Sequence, residues 1–137
     1  ERLARKKLAR PASIGFHRNS DMPALLQSCD LLCHPSIADL ESVSVIEGMA
    51  CGLVPVIAKS PQSAASPFAL CPESLYEVGH PEQLAAHIDW WIEHPRELNE
   101  WGQTYADHTK EHYSVESSVH QFVQMERETI AAHCATR

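Results

Sequence analysis

Residues 30–58 read DLLCHPSIADLESVSVIEGMACGLVPVIA, and the order of their apolar runs and breaks decides the fold. Residues 30–33 form a short apolar run suited to a buried strand, and PSIADLES is built of turn and loop formers. From Ser42 or Val43 onward, Val43, Ile46 and Ala50 recur at helical spacing, and Gly52 is a good C-terminal stop. A second apolar run follows at 54–58, with Pro55 near its start, where a missing N–H is tolerated. Strand, loop, helix and strand without polar alternation is the pattern of parallel strands covered on both faces.

The flanking sequence repeats that alternation. Upstream, residues 12–16 read as another short buried strand, and Asp21 is placed to cap a helix with Pro23 in its first turn and Ala24, Leu25 and Leu26 within it. Downstream, SPQSAASP is a loop, FAL and SLYEV read as short extended pieces, and Gly79, His80 and Pro81 turn into a helix carrying Leu84, Ile88, Trp91 and Ile92. Pro95 breaks it. A helix over 95–112 carries Leu98, Trp101, Tyr105 and His108, and Ser114 caps a last one with Val115, Val119, Phe122, Val123 and Ile130. The predicted fold is α/β, a Rossmann-like parallel sheet with helices on both faces and a helical C-terminal tail. Residues 1–137 make one domain, with an α/β core over 12–80 and a helical part over 81–137 that is laid on the sheet or reaches towards a partner domain.

The 137 residues, 44% hydrophobic and 21% charged, suit one globular domain and exclude a disordered or collagen-like chain. A net charge of -7 argues against nucleic acid as a partner. The charge is uneven, because residues 1–18 hold six basic groups against Glu1. The run from Arg2 to Arg10 reads as the solvated face of a helix. The opening ERLARKKLAR lacks Met, an apolar signal core or a transit signature, and suggests a segment of something longer. The longest apolar run, MACGLVPVIA, has ten residues and falls short of the roughly 20 of a membrane span. Five cysteines in apolar surroundings, Cys29, Cys33, Cys51, Cys71 and Cys134, fit reduced thiols and a cytoplasmic chain.

In parallel sheets, ligands sit where strand-end loops run into helix N-termini whose free N–H groups attract anions. That rule selects the loop HPSIADLES, with the amides of Leu40, Glu41, Ser42, Val43 and Ser44 facing a ligand. Asp39 on the loop and Glu47 in the helix, seven residues between them, are expected to converge on one side of a pocket and accept hydrogen bonds from sugar hydroxyls. The plainer alternative for Asp39 is a cap on the N–H of Ser42 or Val43. Glu47 stands among Val43, Val45, Ile46, Met49 and Ala50, where a carboxylate calls for a partner or a ligand. His108 and His112 have metal-ligand spacing but continue an apolar stripe, and Cys29, Cys33 and His34 straddle a strand, so no metal is assigned. Ser60, Gln62, Ser63 and Ala64 either line the same pocket or form an ordinary loop, and no G-x-S-x-G elbow is present. Trp90, Trp91 and Trp101 read as core or domain-contact residues.

Residues 34–58 resemble the donor-site signature of retaining glycosyltransferases of the GT-B architecture, the large family-four group. The match runs through Pro35, Ser36, Asp39, Glu47, Gly48, Met49, Ala50, Gly52, Pro55, Val56 and Ile57, and the likeness extends over most of residues 12–95. It implies the carboxy-terminal, donor-binding domain of a two-domain enzyme, entered partway. Glu47 stands where the family's second glutamate binds the ribose hydroxyls, and Asp39 where its first glutamate meets hydroxyls of the transferred sugar. Leu40, Glu41 and Ser42 stand at the donor sugar and diphosphate, and His17 and Arg18 in the loop beside the base. Two departures stand out: Asp39 is one methylene shorter than the usual glutamate, and Ser42 replaces a glycine.

The resemblance implies transfer of a hexose from a nucleotide diphosphate sugar, a UDP-sugar before a GDP-sugar, with no cofactor. Its partners are an N-terminal acceptor-binding domain of the same chain and a lipid or saccharide acceptor, with peripheral membrane contact in the intact protein. The family's phosphate-clamping Arg and Lys belong upstream of residue 1. The fragment alone is expected to bind nucleotide weakly and not to catalyse transfer. The alternative is a non-catalytic α/β module that keeps the sheet and has lost the site.

Overall fold

The computed structural model describes residues 12–135. Strands β1 (Leu31–His34), β3 (Val54–Lys59) and β5 (Leu75–Glu77) form a parallel sheet in the order β1-β3-β5. A smaller parallel pair joins β2 (Ala38–Asp39) to β4 (Gln62–Ser63). Around them lie α1 (Met22–Gln27), α2 (Val43–Ala50), α3 (Pro81–Glu93), α4 (Pro95–Tyr113) and α5 (Val115–Ala135). The fold is mixed α/β with a helical C-terminal tail.

The centre of the core is β3. Successive side chains of a strand point to opposite faces, and Val54 through Ala58 are all buried, so both faces of β3 are covered. Pro55 lies opposite Leu32 on β1, while β5 joins only from Ile57, so the proline falls where one flank of the strand is open. Trp91 of α3 and Tyr105 of α4 are fully buried in the same cluster as Val45 and Met49 of α2. Each buried ring satisfies its polar atom: Trp91 Nε1 donates to the Glu73 carbonyl at 3.2 Å, and Tyr105 OH donates to Ser74 Oγ at 2.7 Å while accepting the Leu70 N–H at 2.8 Å. Burial pushes the Tyr105 hydroxyl well above its ordinary pKa. Trp90 stacks on His94, and Trp90 and Trp101 are half-buried against the core.

Helix α2 starts at Val43 as its sequence suggests, but it buries a different face. The residues turned inward are Val45, Gly48 and Met49; Val43 and Ala50 are exposed and Ile46 is half-buried. Gly48 lies on the inward face, pressed on β1, where a Cβ would come within 2.6 Å of Leu32 Cδ2. The helix ends at Gly52 in the left-handed region, φ 83°, with Gly52 N–H on the Met49 carbonyl and Leu53 N–H on that of Gly48. Helix α4 then crosses this end so closely that a Cβ on Gly102 would meet the Gly52 carbonyl oxygen at 2.5 Å.

Other expectations are corrected. Residues 12–16 form no strand and are exposed, Phe16 at 94%. Among the described residues β1 pairs with β3 alone, so its outer edge is open and this apolar run, interrupted by Gly15, does not add to it. Phe68 sits in a 3-10 turn, Ser66–Phe68, set by Pro67, rather than in an extended piece. Asp21 occupies the cap position of α1 without bonding the helix, its carboxylate going to Ser20 Oγ and Arg18. Ser114 does cap α5, accepting the Ser117 N–H at 3.1 Å. The stripe of Val115, Val119, Phe122, Val123 and Ile130 on that helix is exposed, not laid on the sheet. The basic helix expected over 2–10 lies outside the described residues. No helix among the described residues is long and apolar enough to cross a membrane, and the five cysteines are free thiols.

Candidate functional site

The carboxyl end of β1 leads through residues 35–42 into α2, and the neighbouring strand end braces this loop. Beyond the β2–β4 pairing, Ala64 N–H donates to the Asp39 carbonyl at 2.9 Å and Ser60 Oγ to the Ile37 carbonyl at 2.6 Å. Ser63 Oγ accepts the Ala65 N–H. Ser60 and Ser63 are both buried, and Ser60 ties its strand end to the 35–42 loop.

Asp39 is committed inward. Its Oδ1 accepts the Ser42 N–H at 2.9 Å and the Glu41 N–H at 3.3 Å, and its Oδ2 lies 3.1 Å from His34 Nε2. The Ser42 amide above all, with help from the Glu41 amide and the His34 charge, lowers its pKa below the usual carboxylate range against an opposing effect of desolvation. This is the capping role that the sequence offered as the alternative. Two of the five amides expected to face a ligand, those of Glu41 and Ser42, are therefore turned to Asp39. Val43 and Ser44 contribute the remaining first-turn N–H groups of α2. Ser42 itself is 2% exposed and left-handed, φ 52°, which is the backbone a glycine adopts freely. Its hydroxyl sits close enough to favour the Asp39 charge but makes no hydrogen bond of good geometry.

Glu47 turns the other way. Its side chain is exposed, so the expectation of a carboxylate held in an apolar setting is overturned by the rotation of α2. It lines two grooves. One, of about 480 Å³, runs between α2 and α4 past Ile46, Asp107, Lys110 and Tyr113; the other, of about 210 Å³, opens towards Asn19, Met22, Pro23 and Leu26. Asp39 lines neither of these two grooves. The charge of Glu47 adds to burial in raising the Cys51 thiol pKa. Leu40 is at the loop tip, 94% exposed, and His17 and Arg18 are exposed and line neither Glu47 groove. Arg18 lies 3.7 Å from Asp21 instead.

Sequence reasoning missed Lys110, Asp107 and Tyr113, because α4 reaches Glu47 only through tertiary packing. His34 belongs with Asp39 rather than with Cys29 and Cys33; its signal in the sequence is its place at the end of β1, where a side chain meets the loop that follows. The rings of His108 and His112 lie 4.4 Å apart between centroids, tilted 47° to one another. Among the described residues no group of three His, Cys, Asp or Glu side chains is arranged to hold a metal.

A parallel α/β sheet with a braced loop at its strand ends, entering a short helix, defines a Rossmann-like domain of the kind that binds ligands beyond its strands. The chain belongs to the glycosyl transferases group 1 family, whose profile matches residues 1–108. The catalytic domain of cholesterol-alpha-glucosyltransferase from Helicobacter pylori is similar to it at 35% identity and a TM-score of 0.74, over 79% of this chain and 68% of that one. No curated protein sequence matches. Glycosyl transfer is the chemistry of the family to which this domain belongs.

Proposed function

We propose that this chain is the donor-binding part of an enzyme that moves a hexose from a nucleotide diphosphate sugar, UDP-linked before GDP-linked, with retention at the anomeric carbon. The observation that carries the reading is the braced loop over 35–42, which delivers the first turn of α2 at a strand end while Glu47 stands exposed one turn on. In this reading Glu47 accepts the ribose hydroxyls and Asp39 meets the transferred sugar. The amides of Val43 and Ser44, with the helix N-terminus behind them, stabilise the charge that grows on the departing diphosphate. Leu40, Glu41 and Ser42 line the sugar side, and His17 and Arg18 approach the base. Residues 12–80 form the donor core and 81–137 its helical part. An N-terminal domain of the intact enzyme supplies the acceptor site, for a lipid or a saccharide, in the cytoplasm or at the membrane surface.

One observation favours a second reading, a degenerate domain that no longer catalyses: Asp39 Oδ1 is taken by the Ser42 and Glu41 amides, as in a plain helix cap. Calorimetric titration of the intact protein with UDP, GDP and ADP separates the two. Binding of one nucleotide, weakened in Glu47→Ala, supports the donor site. Absence of binding to all three leaves the non-catalytic module.

A further inference from the structure

We infer that His34 is a positioning residue for Asp39, aiming the Oδ2 oxygen that remains for a sugar hydroxyl. This rests on the reading of Asp39 as the sugar-facing carboxylate. Three observations support it. His34 closes β1, so its ring is carried by the central sheet and not by the loop. Its side chain is 13% exposed, and its Nε2 lies 3.1 Å from Asp39 Oδ2 at an angle short of a regular hydrogen bond. That buried nitrogen has no hydrogen-bond partner among the described residues, and Asp39 Oδ2 at 3.1 Å is the acceptor beside it.

The division of labour follows from the two oxygens. Oδ1 is fixed by the Ser42 and Glu41 amides, which sets the loop. Oδ2 has one neighbour, an imidazole on a rigid strand, and a carboxylate oxygen can accept more than one hydrogen bond. An Nε2 proton therefore holds Oδ2 in place while leaving a lone pair for a hydroxyl of the donor sugar. This compensates for the shorter side chain of Asp39, because an aspartate that cannot reach must be held at the right angle. His34 and the adjoining Glu41 are the charged groups beside Asp39, Glu41 acting on it through its backbone amide.

The test uses the intact protein as wild type, His34→Phe and His34→Gln, with two readouts. The first is the Asp39 carboxyl midpoint from its ¹³C shift. It is expected to rise in His34→Phe, towards the ordinary carboxylate value, with a smaller rise in His34→Gln, which keeps a donor. The second is the affinity for UDP-glucose relative to UDP. His34→Phe is expected to lose the preference about tenfold with UDP affinity unchanged, and His34→Gln to restore most of it. An unchanged Asp39 midpoint, or an unchanged preference in His34→Phe, overturns the inference. If wild type binds neither nucleotide, the donor-site reading falls, while the carboxyl titration still decides whether His34 acts on Asp39.

Discussion

Ser42 shows how one residue can carry a record of the loop's geometry. A non-glycine residue in the left-handed region costs about 1–2 kcal/mol, and here the cost is joined by a buried hydroxyl without a good partner. Ser42→Gly is expected to raise stability by about 1 kcal/mol in urea unfolding, the gain reduced by glycine's greater freedom in the unfolded chain. Asp39 gives the loop a pH dependence of known sign. Its native pKa is depressed, so its contribution is complete above the unfolded value near 4 and is lost as pH falls through the native one. The urea midpoint is expected to drop more between pH 7 and pH 3 in wild type than in Asp39→Asn; equal drops would remove Asp39 as the acid-sensitive group. The sequence made Asp39 legible as either ligand or cap, since both uses need a loop carboxylate three residues before a helix. Only coordinates separate them, because the choice lies in where the side chain turns.

At the scale of elements, β1, α2 and β3 fall within a residue or two of their sequence boundaries. Their signals are local: apolar runs, a glycine stop, and a proline near a strand start. What was not legible is the face each helix buries. The periodicity of α2 allowed several stripes, and the one packed on β1 carries Gly48 against Leu32. The same holds for α4 on α2, where Gly102 sits against the Gly52 carbonyl. Gly102→Ala forces these two elements apart and is expected to cost about 2 kcal/mol in urea unfolding, within the usual range for overpacking. Tyr105→Phe removes the hydroxyl that joins Ser74 and Leu70 to α4 and leaves both short of a partner. A loss of about 1–3 kcal/mol is expected; a neutral substitution would show that this network is not a fastening of α4 to the sheet.

Across the whole molecule, fold class was readable from the alternation of strands and helices, and family from residues 34–58 taken together. The long-range pairs were not. Glu47 shares a groove with Lys110 and Tyr113, more than sixty residues further along the chain, and residues 12–16 stay exposed beside an open edge of β1, because an apolar run broken by glycine does not by itself make a strand. The proposed site therefore rests on an exposed carboxylate at the mouth of two grooves, which is a stronger position for a ligand group than the apolar setting first read for it. Calorimetry of UDP binding to the intact protein, before and after Glu47→Ala, tests this most directly. The account expects wild type to bind and the variant to weaken about tenfold, the size of one hydrogen-bonded contact to a charged group. Equal affinity in the two proteins would contradict it.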